Sequence, residues 1–410
     1  MKILWLKTEL LHPVDKGGKI RTYHLLKQLK ADHQVTYLTL DDGSAPPEAI
    51  PSAAEYCHDL IRVPHLTREK FSAGFYAELA LNMASPLPYA IRKYKSAQMT
   101  AAITDVASKG RFDVIICDFL APAVNLPRNL KTPVVLFQHN VEAAIWQRHY
   151  EVQQNLVKKR YLYRQWWKMQ RFERDACRRV DCVIAVSEAD AETMQRDHGL
   201  ARVYDIPTGV DVDFFKPTST VATRPNSLVF TGSMDWLPNE DAMQYFINEI
   251  MPVVRQAVPD LRLTIVGRSP YPSLVELAQR DTAIAVTGRV DDVRPYIEEA
   301  TAFIVPIRIG GGTRLKIYEA MAMEKPVIST TVGAEGLPVR DGVDLMLADD
   351  PKAFADAVVK ILSDSGLAGR LGRSAAELVR ENFGWRRVSE MMAAVCKTVI
   401  GKRDSMIEHD

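Results

Sequence analysis

Cysteine is scarce in this chain: Cys57, Cys117, Cys177, Cys182 and Cys396 are the only five in 410 residues. The number is odd and no two pairs stand at zinc-ligand spacing, which excludes a disulfide framework and a structural zinc site as organising features. Cys177 and Cys182 flank a helix–strand junction without a second pair, and all five read as reduced, mostly buried thiols. Excess charge of one sign is missing too, since 52 Lys and Arg offset 51 Asp and Glu to leave +1. No global field therefore steers nucleic acid to the chain. No apolar run approaches the ~20 residues that span a bilayer. The opening MKILWLKTELLHP is too short for the apolar core of a signal peptide and carries no cleavage site, so a cytoplasmic location is expected. A Gly-x-Gly-x-x-Gly turn after a strand is also absent, which argues against a dinucleotide cofactor.

What the chain does have is alternation. Its length is too great for one ordinary core and suggests two domains. Short apolar runs at 2–7, 33–40, 112–117, 133–138, 182–186 and 203–207 read as strands separated by helical patterns. The stretch 41–55 reads as surface loop, 66–108 as helix broken at Pro86 and Pro88, and 141–179 as one long helix. Residues 208–226, with Pro217, Thr218, Ser219, Thr220 and Pro225, read as a linker. Strands then resume at 228–231, 261–266, 283–287, 303–305, 327–330 and 345–347. Asn239 reads as the cap of the helix that follows it, and Asp350-Pro351 opens another. The pattern predicts an α/β chain of two Rossmann-like, doubly wound parallel-sheet domains, 1–207 and 227–383. Ligands are expected outside the carboxyl ends of their strands.

One window, 304–330 (IVPIRIGGGTRLKIYEAMAMEKPVIST), concentrates the chemistry. A strand runs into Gly310, Gly311 and Gly312, then into a helix with Leu315, Tyr318, Met321 and Ala322 at helical spacing. The glycines thus stand at a strand-to-helix turn, where backbone N–H groups and the helix dipole favour an anion. Arg314 and Lys316 fall in the first turn, where cations are ordinarily unfavourable, and a bound diphosphate reconciles them. Glu319, one turn on, is placed to accept hydrogen bonds from ribose hydroxyls. The bland alternative is a glycine-rich connector with solvated basic side chains.

With its motifs in this order, the chain resembles glycosyltransferase family 4, retaining enzymes of the GT-B fold that use nucleotide-diphosphate sugars. The resemblance looks nearest to a bacterial branch associated with exopolysaccharide assembly. Gly17-Gly18 matches the family's Gly-rich loop after strand one, near the donor phosphates and acceptor. Gln138-His139-Asn140 matches the strand end whose His faces the transferred sugar. Thr208-Gly209-Val210-Asp211 resembles the turn that closes the first domain, Phe230-Thr231-Gly232 the opening of the second, and Ile265-Val266-Gly267 the turn beneath the nucleotide. Val286-Thr287-Gly288-Arg289-Val290 matches the segment whose backbone contacts the base. The GGGTRLKIYEAMA block, Thr313 and Leu315 included, aligns with the donor-binding helix and puts Glu319 on the ribose carboxylate. Phe383-Gly384-Trp385 resembles the start of a C-terminal helix, 384–402, that returns to the first domain. Two places depart from the family: Gly311 stands where a first glutamate is usual, and Ser233 and Pro238 replace an Arg and a Lys after Gly232. Arg314 and Lys316 then stand in for the lost phosphate cations.

The resemblance implies a GT-B enzyme whose two domains face a cleft. It would move a sugar from a UDP- or GDP-sugar to a glycan or lipid-linked acceptor, in cell-surface polysaccharide biosynthesis. Arg314, Lys316 and the helix terminus would neutralise the leaving diphosphate, so no metal cofactor is expected. The Asp211/Asp213 and Asp291/Asp292 pairs read as turn and cap residues. His139 would contact the sugar; its bland reading is a satisfied, partly buried histidine. Arg21 either reaches an acceptor phosphate or faces water. Residues 158–179 hold nine Lys and Arg against two acids, interleaved with Tyr161, Tyr163, Trp166, Trp167 and Phe172. They read either as a helix packing its aromatics on the sheet or, with 70–95, as a peripheral membrane surface for anionic headgroups. Competing functions are a nucleotide-sugar epimerase and a non-catalytic nucleotide-sugar-binding protein.

Overall fold

The computed structural model describes residues 1–15, 17–68, 71–110, 112–218, 221–309 and 314–407, the side chains of 404–407 apart. The chain divides into two compact units, Met1–Pro207 with Val388–Asp410, and Thr208–Arg387.

The first unit is built on seven parallel strands: β1 (Lys2–Lys7), β2 (Gln34–Asp41), β3 (Asp59–Pro64), β4 (Val114–Asp118), β5 (Val134–Phe137), β6 (Cys182–Ala185) and β7 (Tyr204–Asp205). Their spatial order is β3-β2-β1-β4-β5-β6-β7. Parallel neighbours cannot be joined by a tight turn, so the chain crosses over between them, mostly through helices. Strands covered on both faces need no polar alternation. Accordingly β4 (VIICD) and β6 (CVIA) are buried at every position. The second unit has six parallel strands: β8 (Ser227–Thr231), β9 (Arg262–Val266), β10 (Ile284–Val286), β11 (Ala302–Val305), β12 (Val327–Ser329) and β13 (Met346–Leu347). They lie in the order β10-β9-β8-β11-β12-β13 around a core that includes Phe230, Phe246, Phe303 and Phe354. Both units are therefore Rossmann-like.

In each sheet the winding reverses beside the first strand, between β1 and β4 and again between β8 and β11. Such a reversal opens a crevice at the carboxyl ends of the strands. Lys7 and Asp118 end the two strands at the first reversal, and Gly232 follows β8 at the second.

Several local expectations are corrected. The sequence pattern announces no strand over Asp59–Pro64, because Asp59 and Arg62 interrupt its apolar residues; as an edge strand, β3 tolerates them. The helix expected over 141–179 is two, Glu142–Val152 and Leu156–Arg179, since the Asn155 side chain caps the second by accepting from the Val157 and Lys158 amides. The stretch 66–108 contains Ala73–Asn82, Tyr89–Arg92 and the start of Ala97–Gly110. Within 41–55 the chain forms two 3-10 turns, Pro47–Ala49 and Pro51–Glu55. Asn239 is not a cap: its helix is Leu237–Tyr245, with Trp236 at the cap and Pro238 in the first turn, which places Asn239 inside and buried. Asp350 does cap Pro351–Ser363, accepting from the Lys352 and Ala353 amides. Residues 208–226 belong to the second unit, where the Thr218 hydroxyl donates to Glu298 and Val210 bridges to Gly384. The last helix, Trp385–Ile407, belongs to the first unit from Val388 onward.

Candidate active site

In the second unit, three glycine-bearing strand ends meet. The Gly232 amide donates to Val266 O at 2.9 Å, and the Gly267 amide to Gly288 O at 3.2 Å. A Cβ on Gly267 would lie 1.7 Å from the Gly232 carbonyl oxygen, so only glycine permits this approach. Asn239 then ties the loop after β8: its Nδ2 donates to Ser233 O at 2.8 Å, and its Oδ1 accepts from Lys316 Nζ at 2.9 Å. The same ammonium sits 4.0 Å from the centre of the Phe230 ring. A Cβ on Gly232 would lie 2.6 Å from it. The helix Leu315–Ala322 thus delivers Lys316 to the glycine that opens the unit, beside Ser233, where the family resemblance expected a cation from the chain itself.

Arg314 occupies the cap of that helix, is 5% exposed, and holds its guanidinium 5.1 Å from the Trp236 ring. Burial lowers its pKa, with Glu335 opposing. Burial also brings Lys316 down to about 7, helped by the neighbouring positive charge of Arg314 and opposed by Glu319. Glu319 is pushed up to about 7 by burial against the pull of Lys316. Lys316 and Glu319 both retain partial solvent access. Two cations thus stand together at a helix N-terminus, partly stripped of water and repelling each other. Leu315 is the half-buried first residue of the helix, Arg289 is exposed, and Val290 packs on the core. Gly310, Gly311, Gly312 and Thr313 lie outside the described residues.

In the first unit, His139 is 6% exposed and its Nε2 stands 2.6 Å from Asp118 Oδ1. Asp118 Oδ2 accepts from Trp5 Nε1 at 3.0 Å, Lys7 Nζ at 2.7 Å and Thr22 Oγ1 at 2.7 Å. Burial favours the neutral Asp118 carboxyl, but the Lys7 ammonium and His139 outweigh it and hold the group well below the usual carboxylate range. Burial lowers His139 to about 3 in spite of Asp118, so its ring is neutral near pH 7. The Phe119 ring stacks on the imidazole at 3.7 Å and 16°. Gly18 makes room for it, since a Cβ there would lie 2.6 Å from Phe119 Cζ, while Gly17 is exposed. Arg21, one turn along, does not face water: it is buried, and burial brings its pKa down to about 10 against the pull of Asp118 and Asp190. Below this cluster Glu173 accepts from Gln138 Nε2 and from the Glu142 and Ala143 amides, anchoring the Gln138–Asn140 turn.

Arg314, Lys316 and Glu319, singled out in sequence, share one helix, and His139 lies against Asp118, Lys7, Thr22 and Phe119, which the sequence pattern does not single out. Asp118 carries the signal that singles out His139, a polar residue closing an apolar strand. Of the Asp211/Asp213 and Asp291/Asp292 pairs, Asp292 is engaged by Arg294 and Asp211 accepts from the Phe214 amide. No group of three metal-ligating side chains is found among the described residues.

Residues 16–214 match the family model Glycosyltransferase Family 4, and residues 225–364 match Glycosyl transferases group 1. A 44.6 kDa protein of the cps region of Klebsiella pneumoniae is 19% identical over 94% of this chain and 97% of its own length. The phosphatidyl-myo-inositol mannosyltransferase of Mycobacterium leprae is 30% identical over 53% of this chain, and the alignment spans 59% of that enzyme. Among solved structures, Anabaena HepE in complex with UDP superposes with a TM-score of 0.67 at 14% identity, covering 97% of this chain and 100% of that one. That likeness is one of fold, and the fold is GT-B.

Proposed function

The chain belongs to the family 4 glycosyltransferases, and from that premise we propose that it transfers a sugar from a UDP- or GDP-sugar to a glycan or lipid-linked acceptor, with retention and without a metal. The observation that carries this reading is the Lys316 ammonium held against Gly232 with Arg314 at the same helix terminus.

Breaking the bond between an anomeric carbon and a diphosphate leaves charge on the phosphate oxygens. Donors fixed in advance where that charge develops lower the barrier. Lys316, Arg314 and the N-terminus of Leu315–Ala322 supply such donors, so the diphosphate would lie over Gly232. Glu319 would accept from the ribose, the backbone of Gly288–Val290 would meet the base, and His139 would contact the transferred sugar. The mannosyltransferase relative and the UDP complex of the structural neighbour support a hexosyl donor of this kind. The cps-region relative supports a role in cell-surface polysaccharide.

A peripheral membrane contact belongs to the same reading. Leu156 and Val157 are 82% and 81% exposed at the start of the helix Leu156–Arg179, next to Lys158, Lys159 and Arg160. Phe71, Tyr76 and Trp167 are exposed as well. Apolar side chains interleaved with cations suit an anionic bilayer surface. No helix among the described residues is long and apolar enough to cross a membrane.

The test is binding of UDP, GDP and their sugars with EDTA present, followed by turnover of whichever nucleotide sugar raises the unfolding midpoint. Arg314→Ala combined with Lys316→Ala should weaken the nucleotide diphosphate far more than the nucleoside. Equal loss of both would remove the diphosphate from this helix, and an absolute requirement for a divalent metal would defeat metal-free transfer.

A further inference from the structure

Resting on the reading of His139 as the residue that meets the transferred sugar, we propose that Asp118 is a positioning residue. With Lys7, Thr22 and Trp5 it fixes His139 as the neutral, Nε2-protonated tautomer, leaving Nδ1 as an acceptor that selects a sugar hydroxyl.

The tautomer follows from the hydrogen-bond inventory. An indole N–H and an ammonium can only donate. Trp5 Nε1 and Lys7 Nζ therefore require Asp118 Oδ2 to accept, at 3.0 and 2.7 Å. A carboxylate bound to an ammonium at that distance is ionised and has no proton to give. In the 2.6 Å contact between Asp118 Oδ1 and His139 Nε2, the ring nitrogen must then be the donor. A neutral imidazole protonated at Nε2 presents a lone pair at Nδ1. Nδ1 has no hydrogen-bond partner among the described residues.

The ring's orientation is fixed as closely as its tautomer. Phe119 stacks on one face at 3.7 Å, and the Phe137 ring lies 4.5 Å away, tilted by 52°. Phe119 itself adopts a left-handed backbone, φ +72°, with its ring tip in the space a Gly18 side chain would take. Around the imidazole the charged groups are Lys7 on β1, Arg21 on the helix Gly17–Asp32 and Asp118 on β4; burial holds the ring neutral, Asp118 opposes it, and the two cations assist. A fully buried ion pair is a poor way to stabilise a fold, because apolar residues of equal volume serve as well or better. Four polar side chains gathered to orient one histidine suggest a requirement set by what that histidine touches.

The consequence is chemical. An acceptor nitrogen needs a proton from the ligand, so the hydroxyl facing Nδ1 cannot be replaced by hydrogen or by fluorine. A protonated Nδ1 would tolerate fluorine.

Long-range ¹H–¹⁵N spectra of the intact protein read the tautomer directly, with the His139 signals identified by their loss in His139→Gln. The wild type should show the Nε2–H pattern, unchanged from pH 6 to 8. Asp118→Asn, whose amide can donate to Nε2, should move His139 toward the Nδ1–H form. A wild-type His139 that is Nδ1-protonated, or that titrates as an imidazolium in this range, overturns the proposal without any substrate being involved.

Turnover tests the selectivity. With the donor the wild type uses, deoxy and deoxyfluoro analogues at C3, C4 and C6 should include one position where both lose about tenfold or more in kcat/KM. In Asp118→Asn the fluoro analogue at that position should recover relative to the deoxy one. Should Asp118→Asn fail to fold, Thr22→Val removes one donor to the same carboxylate and should lower kcat severalfold with the donor KM little changed. Wild-type kcat and wild-type discrimination in both variants would make Asp118 merely structural and refute the assignment. Absence of turnover by the wild type would defeat the transferase reading instead, and the spectrum would still decide the tautomer.

Discussion

Binding of the nucleotide sugar should be linked to protonation of Lys316. In the free protein burial brings this ammonium down to about 7, with Arg314 reinforcing the shift. A diphosphate placed against it favours the charged form, so the binding-competent state is the protonated one. At pH 6 about nine tenths of Lys316 is charged and at pH 8 about one tenth. The apparent Kd is the intrinsic value divided by the competent fraction, which predicts a loss of about tenfold across those two pH units from this group alone. Glu319 ionises over the same range and adds negative charge beside the phosphates, so its contribution has the same sign. The two titrate as a coupled pair, and the slope belongs to both. A nucleotide sugar is the right probe, because its diphosphate is a diester whose own protonation does not change near neutrality. Calorimetry in two buffers of different ionisation heat should show proton uptake on binding at pH 7.5. Lys316→Met should bind weakly at pH 6 and converge on the wild type as pH rises. A wild-type affinity that is flat from pH 6 to 8 would refute the desolvated-lysine argument, and identical affinities for the two proteins at every pH would remove Lys316 from the site.

The same pair shapes the pH dependence of stability. Glu319 is raised toward 7, so the folded chain holds a proton between about 4.5 and 7 that the unfolded chain has released, and stability falls as pH rises through that window. Lys316 is lowered, so its contribution rises with pH from about 7 to 10.5. Glu319→Gln should remove the falling limb, which thermal melts against pH would show; an unchanged limb would mean that Glu319 is solvated. Gly267→Ala drives a methyl into the Gly232 carbonyl, should cost about 1–3 kcal/mol, and should weaken nucleotide binding. Gly17→Ala, with nothing within 4 Å of the new methyl, should leave the melting temperature near the wild type. Leu156→Ser with Val157→Ser should reduce co-sedimentation with vesicles containing anionic lipid; unchanged partition would argue that this surface meets something other than a bilayer.

Most of the architecture was legible because parallel strands buried on both faces appear as uninterrupted apolar runs. β4, β5, β6, β8, β11 and β12 are each buried from end to end. What was not legible lies where burial is partial. β3 has one buried residue in six and reads as polar chain. The break between the helices Glu142–Val152 and Leu156–Arg179 depends on the Asn155 side chain turning back on two amides, a local competition that helical spacing does not register. Asn239 looked like a cap by composition, but Trp236 and Pro238 start the helix earlier and release its amide to bind Ser233 O and Lys316.

The clusters in the two units differ in legibility for a geometric reason. Arg314, Lys316 and Glu319 sit within two turns of one helix, and cations at a helix N-terminus contradict the helix dipole. A contradiction inside a short window is visible to anyone reading it. The His139 cluster has no such window. Asp118 meets Lys7 across 111 positions, Thr22 across 96 and His139 across 21, and the contacts exist because β1, β4 and β5 are neighbours in a parallel sheet. Sheet adjacency leaves one trace in sequence, a polar residue where an apolar strand ends, and Lys7, Asp118 and Gln138-His139 each carry it. Strand-end polarity at the winding reversal is therefore the signal that locates this cluster, and it becomes specific only once the strand order is known.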